Sequence, residues 1–159
     1  MTEPHTSALP VFAPDPAQGG TVVRTSARVE WWPADGGVRM RATGPWGRTT
    51  VGAQNVFWAF WGIRMELPEV IFFAQGARRD AWSGTPEHPC GLDQVRIYPA
   101  FGRPPHPAPV PALAVLPESH RDLLAAGYLE HTLYHREWAG EVEPGGLSWT
   151  ALKAHSRNG

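Results

Sequence analysis

The sequence contains one cysteine, one lysine and no long run of apolar residues. The single cysteine, Cys90, excludes an intramolecular disulfide, and with it the disulfide-rich scaffolds of small secreted proteins. No apolar run approaches the roughly 18 residues that a helix needs to cross a bilayer. Residues 1–10 also lack the basic start and apolar core of a signal peptide. We therefore expect a cytoplasmic protein that makes no contact with membranes.

Net charge is also nearly absent, since the formal value is −1 at pH 7. This value excludes a global electrostatic attraction to nucleic acid or to anionic lipid. Every cation except Lys153 is an arginine. Such a bias is typical of a GC-rich coding sequence, although the planar guanidinium also suits bidentate recognition of a partner.

Tryptophan, proline and glycine are abundant, with 8, 17 and 17 residues. A chain of 159 residues that is 42% hydrophobic can form one domain with its own core. Residues 1–20 combine proline and glycine with little apolar content, which predicts a mobile arm. We expect a single domain over residues 21–139 and a C-terminal tail over residues 140–159.

Residues 21–43 have the alternating pattern of a β-hairpin. Asp35-Gly36 is a favoured pair for a two-residue turn. Centring the hairpin on that turn places Trp32 opposite Arg39 and puts every apolar residue on one face, whereas a slip of one residue would mix the faces. A second turn at residues 44–47 leads into a short third strand.

The rest of the chain predicts two helices and three further strands. The first helix begins after Asn55, a favourable N-cap, and ends before Pro68. Residues 70–74 form a continuous apolar run typical of a buried strand. The remaining predicted elements are strands at 95–98 and 113–116 and a helix over 117–139. The order β-β-β-α-β-β-β-α favours an α+β fold, with a mostly antiparallel sheet and two helices packed on one side.

Histidine and cysteine offer two candidate chemical sites. His131 and His135 are four residues apart on a predicted helix, a spacing that can chelate a divalent ion. His120 lies eleven residues before His131, about 16 Å along the axis at 1.5 Å per residue, which is too far to join them. Cys90 follows His88 closely, but sequence proximity does not make a folded catalytic pair. We expect no metal or other cofactor, and a small enzyme is the third functional hypothesis.

A nucleic-acid-binding face is the second hypothesis. The predicted hairpin places five side chains on its outer face: Arg24, Arg28, Trp32, Arg39 and Arg41. Guanidinium groups beside an aromatic ring can contact phosphates and stack on bases. The same pattern also occurs on exposed strands for solubility, with Glu30 and Arg41 as an ordinary cross-strand pair.

The first hypothesis is a non-enzymatic protein that binds a protein partner. Arg78, Arg79, Asp80 and Trp82 follow a predicted buried strand, where a rigid scaffold presents functional groups. Arginine and tryptophan are also enriched in binding hot spots. An internal Arg–Asp pair with Trp82 covering the core is the structural alternative. Excess apolar surface on the first helix further suggests a homo-oligomer.

Three segments carry a resemblance: residues 43–47 (Thr-Gly-Pro-Trp-Gly), the first predicted helix, and residues 76–84 (Gly-Ala-Arg-Arg-Asp-Ala-Trp-Ser-Gly). In this order they resemble a group of small, uncharacterised proteins of high-GC bacteria, some of them similar to immunity-type or accessory proteins encoded near toxins. The aromatic first helix, the proline-rich connection at residues 99–111 and the C-terminal helix depart from that group. The resemblance implies an α+β fold and no particular activity.

Overall fold

The computed structural model of the protein describes residues 3–142 and 146–158. It is an α+β fold with antiparallel strands in two sheets, in the orders β4-β3-β2-β1-β5 and β6-β7-β8. The predicted class is confirmed, with two sheets where one was expected. The elements are β1 (His5–Asp15), β2 (Thr21–Ala34), β3 (Gly37–Gly44), β4 (Gly47–Ala53), α1 (Val56–Glu66), β5 (Ile71–Phe72), β6 (Ala81–Trp82), β7 (Gln94–Ile97), β8 (Val110–Pro111), α2 (Tyr128–Trp138) and α3 (Trp149–Asn158), with 3-10 turns at Pro16–Gln18, Gln75–Ala77 and Glu118–Leu123.

The N-terminal segment is a strand inside the large sheet. β1 pairs along its whole length with β2, and its centre also pairs with β5. Leu9, Val11 and Ala13 are fully buried at alternate positions, which is the period of a strand with one face on the core. The prediction of a mobile arm over residues 1–20 is therefore wrong for β1. Interspersed prolines concealed the alternation in the sequence.

The predicted hairpin register is confirmed. Trp32 pairs with Arg39, and Glu30 pairs with Arg41. Asp35 and Gly36 have φ values of 51° and 78°, as a type I′ turn requires. All arginines of the hairpin consequently lie on the face opposite the core.

α1 covers the inner face of the large sheet, where it packs on β3 and β4. It begins where predicted, because the Asn55 side chain accepts a hydrogen bond of 2.9 Å from the N–H of Trp58. Val56, Phe60 and Ile63 are fully buried against the sheet. None of the helices in the described ranges is both long and apolar enough to span a membrane.

The helix predicted over residues 117–139 is interrupted. A 3-10 turn and α2 occupy its two ends, and residues 124–127 between them are not helical. The N–H of Ala125 donates to the carbonyl of Ala77 at 3.0 Å. Since that donor bonds to a remote segment, it cannot make the i to i−4 bond of a helix. The prediction of one continuous helix is wrong, and the break exposes a groove beside α1.

The strand predictions also need correction after α1. Only part of residues 70–74 forms a ladder, as β5, and residues 113–116 form no strand. Val115 instead makes an isolated bridge with Ala74, while β8 lies earlier in the chain. β8 is an edge strand, a position that tolerates Pro111 because its missing N–H is not needed there.

Much of the predicted tail is a docked helix. Within residues 140–159, α3 packs on α2. The Trp149 ring lies 5.3 Å from that of Tyr134, and the Lys153 Nζ lies 3.0 Å from a carboxylate oxygen of Glu130. Contacts of this kind need the folded α2, so they cannot be predicted from the local sequence of the tail.

Candidate functional site

Arg78 and Asp80 of the predicted partner-binding loop pair with each other. Arg78 donates two hydrogen bonds to the carboxylate, from Nε at 2.7 Å and from Nη2 at 2.8 Å. Asp80 is buried, so this is an internal bidentate ion pair. Its polar groups contact the same chain and leave little to present to a partner.

Arg79 and Trp82 also contact other parts of the chain. Arg79 donates to the carbonyl of Asp122, and its guanidinium lies 5.1 Å from the centroid of the Trp149 ring. Trp82 stacks on His135 with ring centroids 3.9 Å apart. The loop thus connects α1, α2 and α3, and the structure places all four predicted residues in one region of internal contacts.

The aromatic surplus of α1 is covered by this same region. Trp58 and Trp61 lie 5.3 Å and 5.8 Å from Trp82 between ring centroids, and Trp61 also contacts His131. Both tryptophans are partly buried beside the core. The helix surface that suggested a homo-oligomer is thus packed by β6 and α2 of the same chain.

The predicted nucleic-acid residues are brought together on the outer face of the large sheet. Arg24 and Arg28 lie on β2, and Arg39 lies on β3 opposite Trp32. Arg48 of β4 joins them, because it pairs with a β3 residue of the same face. We call this surface the Arg strand face, formed by Arg24, Arg28, Trp32, Arg39, Arg41 and Arg48.

Two glutamates offset part of the charge of the Arg strand face. Glu30, only 5% exposed, receives Arg28 at 3.4 Å and Arg41 at 3.3 Å, and Arg24 pairs with Glu118. The Arg41 guanidinium lies 5.4 Å from the centroid of the Trp32 ring, so it covers the aromatic surface that a base would need.

His131 and His135 are packed imidazoles. Burial lowers the pKa of His131 to about 3, with a further contribution from the charge of Arg64, and burial lowers that of His135 to about 4. Nε2 of His131 donates to the carbonyl of Ala81. Within the ranges the structure describes, no three His, Cys, Asp or Glu side chains converge as a metal site would need. Because both pKa values lie well below 7, both imidazole rings are neutral at pH 7.

The Cys90 thiol is poorly placed for nucleophilic chemistry. Its Sγ donates to the carbonyl of Gln94 at 3.3 Å, and burial raises its pKa. A reactive thiol needs a lowered pKa, commonly from an adjacent base. His88 instead lies beside aromatic rings, with centroids 6.5 Å from Tyr98 and 6.4 Å from Trp138.

The site that the sequence did not indicate is a cavity of about 570 Å³ beside α1. Its walls come from the end of α1, from residues 68–72 and from the break before α2, and they include Trp61, Ile71 and Leu124. The volume lies within the range of ligand-binding pockets, roughly 300–1,000 Å³. We call it the α1 groove. Gly127, in the middle of a predicted helix, was the only sequence signal of the break that forms it.

The mouth of the α1 groove is apolar and exposed. Met65 on α1 is 54% exposed and Tyr128 at the start of α2 is 58% exposed, and both line the cavity. Leu129 beside them is also exposed. Large apolar side chains clustered around a cavity are typical of an interaction site.

Arg64 is the less exposed of the two arginines that line the α1 groove. Its guanidinium lies 5.9 Å from the centroid of the fully buried Phe60 ring. It makes no hydrogen bond or ion pair with any residue in 3–142 or 146–158. Burial lowers its pKa to about 10, so it remains charged at pH 7. An apolar cavity with one such donor can bind a molecule that has an apolar body and an anionic group.

Comparison with known proteins adds no assignment to this geometry. No protein-family model matches the chain, and no curated protein is significantly similar to it. The resemblance to small proteins of high-GC bacteria accordingly stays an expectation, and function has to be argued from the two surfaces described above.

Proposed function

We propose that this protein is a non-enzymatic binding protein that recognises a protein partner at the α1 groove. The observation that carries the proposal is a cavity of about 570 Å³ whose mouth is formed by exposed apolar side chains. Such a protein suits an accessory or immunity-type role in a bacterial cytoplasm. The groove, rather than the loop of Arg78 to Trp82, supplies the contact surface.

The energetics favour an anchor residue in the groove. An aromatic side chain buries about 150–250 Å², which at roughly 25 cal/mol per Å² corresponds to about 4–6 kcal/mol before the costs of association. Anchors of this kind dominate the affinity of many interfaces. Met65 and Tyr128 would then surround the anchor and exclude water from it.

The predicted loop contributes to this function as the support of one groove wall. Arg78 forms an isolated bridge with Leu124, and the N–H of Arg79 donates to the carbonyl of Leu123 at 2.9 Å. The Arg78–Asp80 pair holds the loop in the conformation that makes these bonds. The predicted residues thus position the groove even where they do not touch the partner.

Site-directed crosslinking tests the proposal. A photoreactive amino acid at position 128 should capture a partner that the same group at exposed Val22, on β2 of the large sheet, does not capture. The purified partner should bind at least tenfold more weakly to Met65→Asp, because a carboxylate at the mouth must be desolvated. Val22→Asp is the matched control and should bind as wild type. Equal capture from both positions, or full affinity in Met65→Asp, contradicts the proposal.

The alternative function is single-stranded nucleic-acid binding by the Arg strand face. Five arginines against two glutamates on that surface favour it, within a chain of net charge −1. Binding to labelled oligonucleotides should then fall steeply with added salt and be lost in Arg39→Glu with Arg41→Glu. Met65→Asp should leave it unchanged. Salt-independent or undetectable binding removes this alternative.

A further inference from the structure

The α1 groove has an inner cationic end and an outer apolar end. The Arg64 guanidinium lies next to Phe60, which is fully buried, and its charge acts on the fully buried His131. Met65 and Tyr128, both more than half exposed, lie at the mouth. A molecule that satisfies both ends must therefore enter with its anionic group first.

The two other charged residues of the groove, Glu69 and Arg121, do not compensate the charge of Arg64. Glu69 lines the cavity but is exposed and lies beyond ion-pair distance of Arg64. Arg121, also in the lining, has its guanidinium 5.3 Å from the centroid of the Phe12 ring. Since burial is the cause of the lowered pKa of Arg64, an anion that reached it would relieve a charge left without compensation.

Resting on the function proposed above, we infer that the partner inserts its C-terminus into the α1 groove, with the terminal carboxylate on Arg64 and the last apolar side chain in the cavity. A chain end carries its carboxylate at the leading tip and an apolar side chain on the same Cα. The preceding residues leave over the apolar rim of Met65 and Tyr128 toward the body of the partner.

The charge of Arg64 favours an anionic group at the inner end of the groove. Planar guanidinium also matches a carboxylate through two parallel hydrogen bonds, a fit that lysine cannot reproduce.

Matched peptide pools test the inference. Fluorescein-labelled hexapeptides begin with Gly-Ser-Gly and end in three randomised apolar residues, and each pool is made with a free C-terminal carboxylate and with a C-terminal amide. Fluorescence anisotropy measures binding, and the intrinsic tryptophan fluorescence, to which Trp61 in the groove wall contributes, provides a second reading. We expect the acid pool to bind at least tenfold more tightly than the amide pool.

Variants assign that difference to Arg64. Arg64→Gln should bind acid and amide pools with equal affinity, and Arg64→Lys should retain only part of the preference, because an ammonium cannot form the paired bonds. Arg103→Gln, which alters an exposed arginine elsewhere, should behave as wild type. Near-UV circular dichroism and thermal melting of each variant establish that it is folded.

The remaining outcomes overturn the inference in distinguishable ways. Equal binding of acid and amide pools, with both abolished by Tyr128→Asp, rejects the carboxylate but keeps the groove as a site for protein segments. Binding of decanoate that depends on Arg64, with no binding of either pool, rejects a chain end in favour of a small amphipathic acid. Absence of binding by pools and decanoate also overturns it, while the crosslinking experiment at position 128 decides separately whether a partner uses the rim.

Discussion

On the Arg strand face the arginines lie on adjacent paired strands, and three of them meet a glutamate. In the α1 groove Arg64 lies among mostly apolar side chains and meets no carboxylate of the described chain. The first surface is rich in charge, and two glutamates already compensate part of that charge. In the second, the charge of Arg64 is poorly solvated, and this makes the groove the better candidate for recognition of an anion.

This difference shows that the number of cations is a weak guide to a binding site. Exposed ion pairs are screened by water and contribute little free energy. A half-buried cation has lost part of its hydration, so its interaction with an incoming anion is stronger. The environment of Arg64 therefore outweighs the larger number of arginines on the strand face.

The largest expected difference in the free energy of unfolding is between a variant that loses the ion pair beside the groove wall and one that loses an ion pair of the strand face. Asp80→Ala removes the buried partner of Arg78 beside the groove wall, and we expect a loss of about 3–5 kcal/mol in the free energy of unfolding. Glu118→Ala removes the exposed partner of Arg24 on the strand face and should cost less than about 1 kcal/mol. Urea unfolding monitored by circular dichroism measures both. Equal losses would mean that the two pairs have the same environment.

A smaller effect concerns pH, through His131, which contacts Trp61 of the groove wall. Its pKa of about 3 in the folded chain lies below the ordinary value of 6.5. The unfolded chain therefore binds a proton that the folded chain does not, so this contribution to stability is complete above pH 6.5 and decreases as the pH falls toward 3. At pH 5 the loss from this residue should be about 2 kcal/mol.

Substitution of His131 separates this effect from the titration of carboxylates. His131→Gln keeps an N–H for the carbonyl of Ala81 and should reduce the fall in melting temperature between pH 7 and pH 5 relative to wild type. Part of the fall should remain, because burial also lowers the pKa of His135 to about 4. His120→Gln alters an exposed histidine and should leave the pH dependence as it is. An unchanged slope in His131→Gln would show that other groups cause the dependence.

The smallest expected effect compares one arginine from each surface. Arg64→Gln removes a charge without compensation and should raise the free energy of unfolding by about 1 kcal/mol in the absence of ligand. Arg39→Gln on the strand face should change it by less than about 0.5 kcal/mol. Chemical denaturation of the two variants measures the difference. A large loss of stability in Arg64→Gln would show that the guanidinium already has a partner within the folded chain.

The elements that sequence reasoning predicted correctly depend on neighbouring residues. The hairpin register follows from the Asp35-Gly36 turn and from alternation along β2 and β3. α1 follows from the Asn55 cap and from Pro68. Each signal acts over a few residues, so the chain need not be folded for it to be recognised.

The errors have the opposite origin. The sequence does not predict β1, because Pro10 and Pro14 suggest irregular structure. In the fold both prolines are paired with residues of β2 in the sheet. The helix predicted over residues 117–139 is too long because its break depends on a hydrogen bond to residue 77, which is remote in the sequence. The sequence pattern groups four residues as a site: Arg78, Arg79, Asp80 and Trp82. Only the fold shows which groups they contact. Their predicted role toward a partner stays a prediction.

The amino-acid sequence by itself determined the α+β class, the strand register and the position of the arginines on one outer face. These features follow from side-chain period and turn chemistry, which are local. Only the tertiary structure decided that β1 lies within the sheet, that Asp80 neutralises Arg78, and that α1, residues 68–72 and residues 121–128 enclose a groove. Burial and the pairing of charges depend on which distant segments meet. The sequence shows Arg64, but only the fold shows that no carboxylate of residues 3–142 or 146–158 pairs with it.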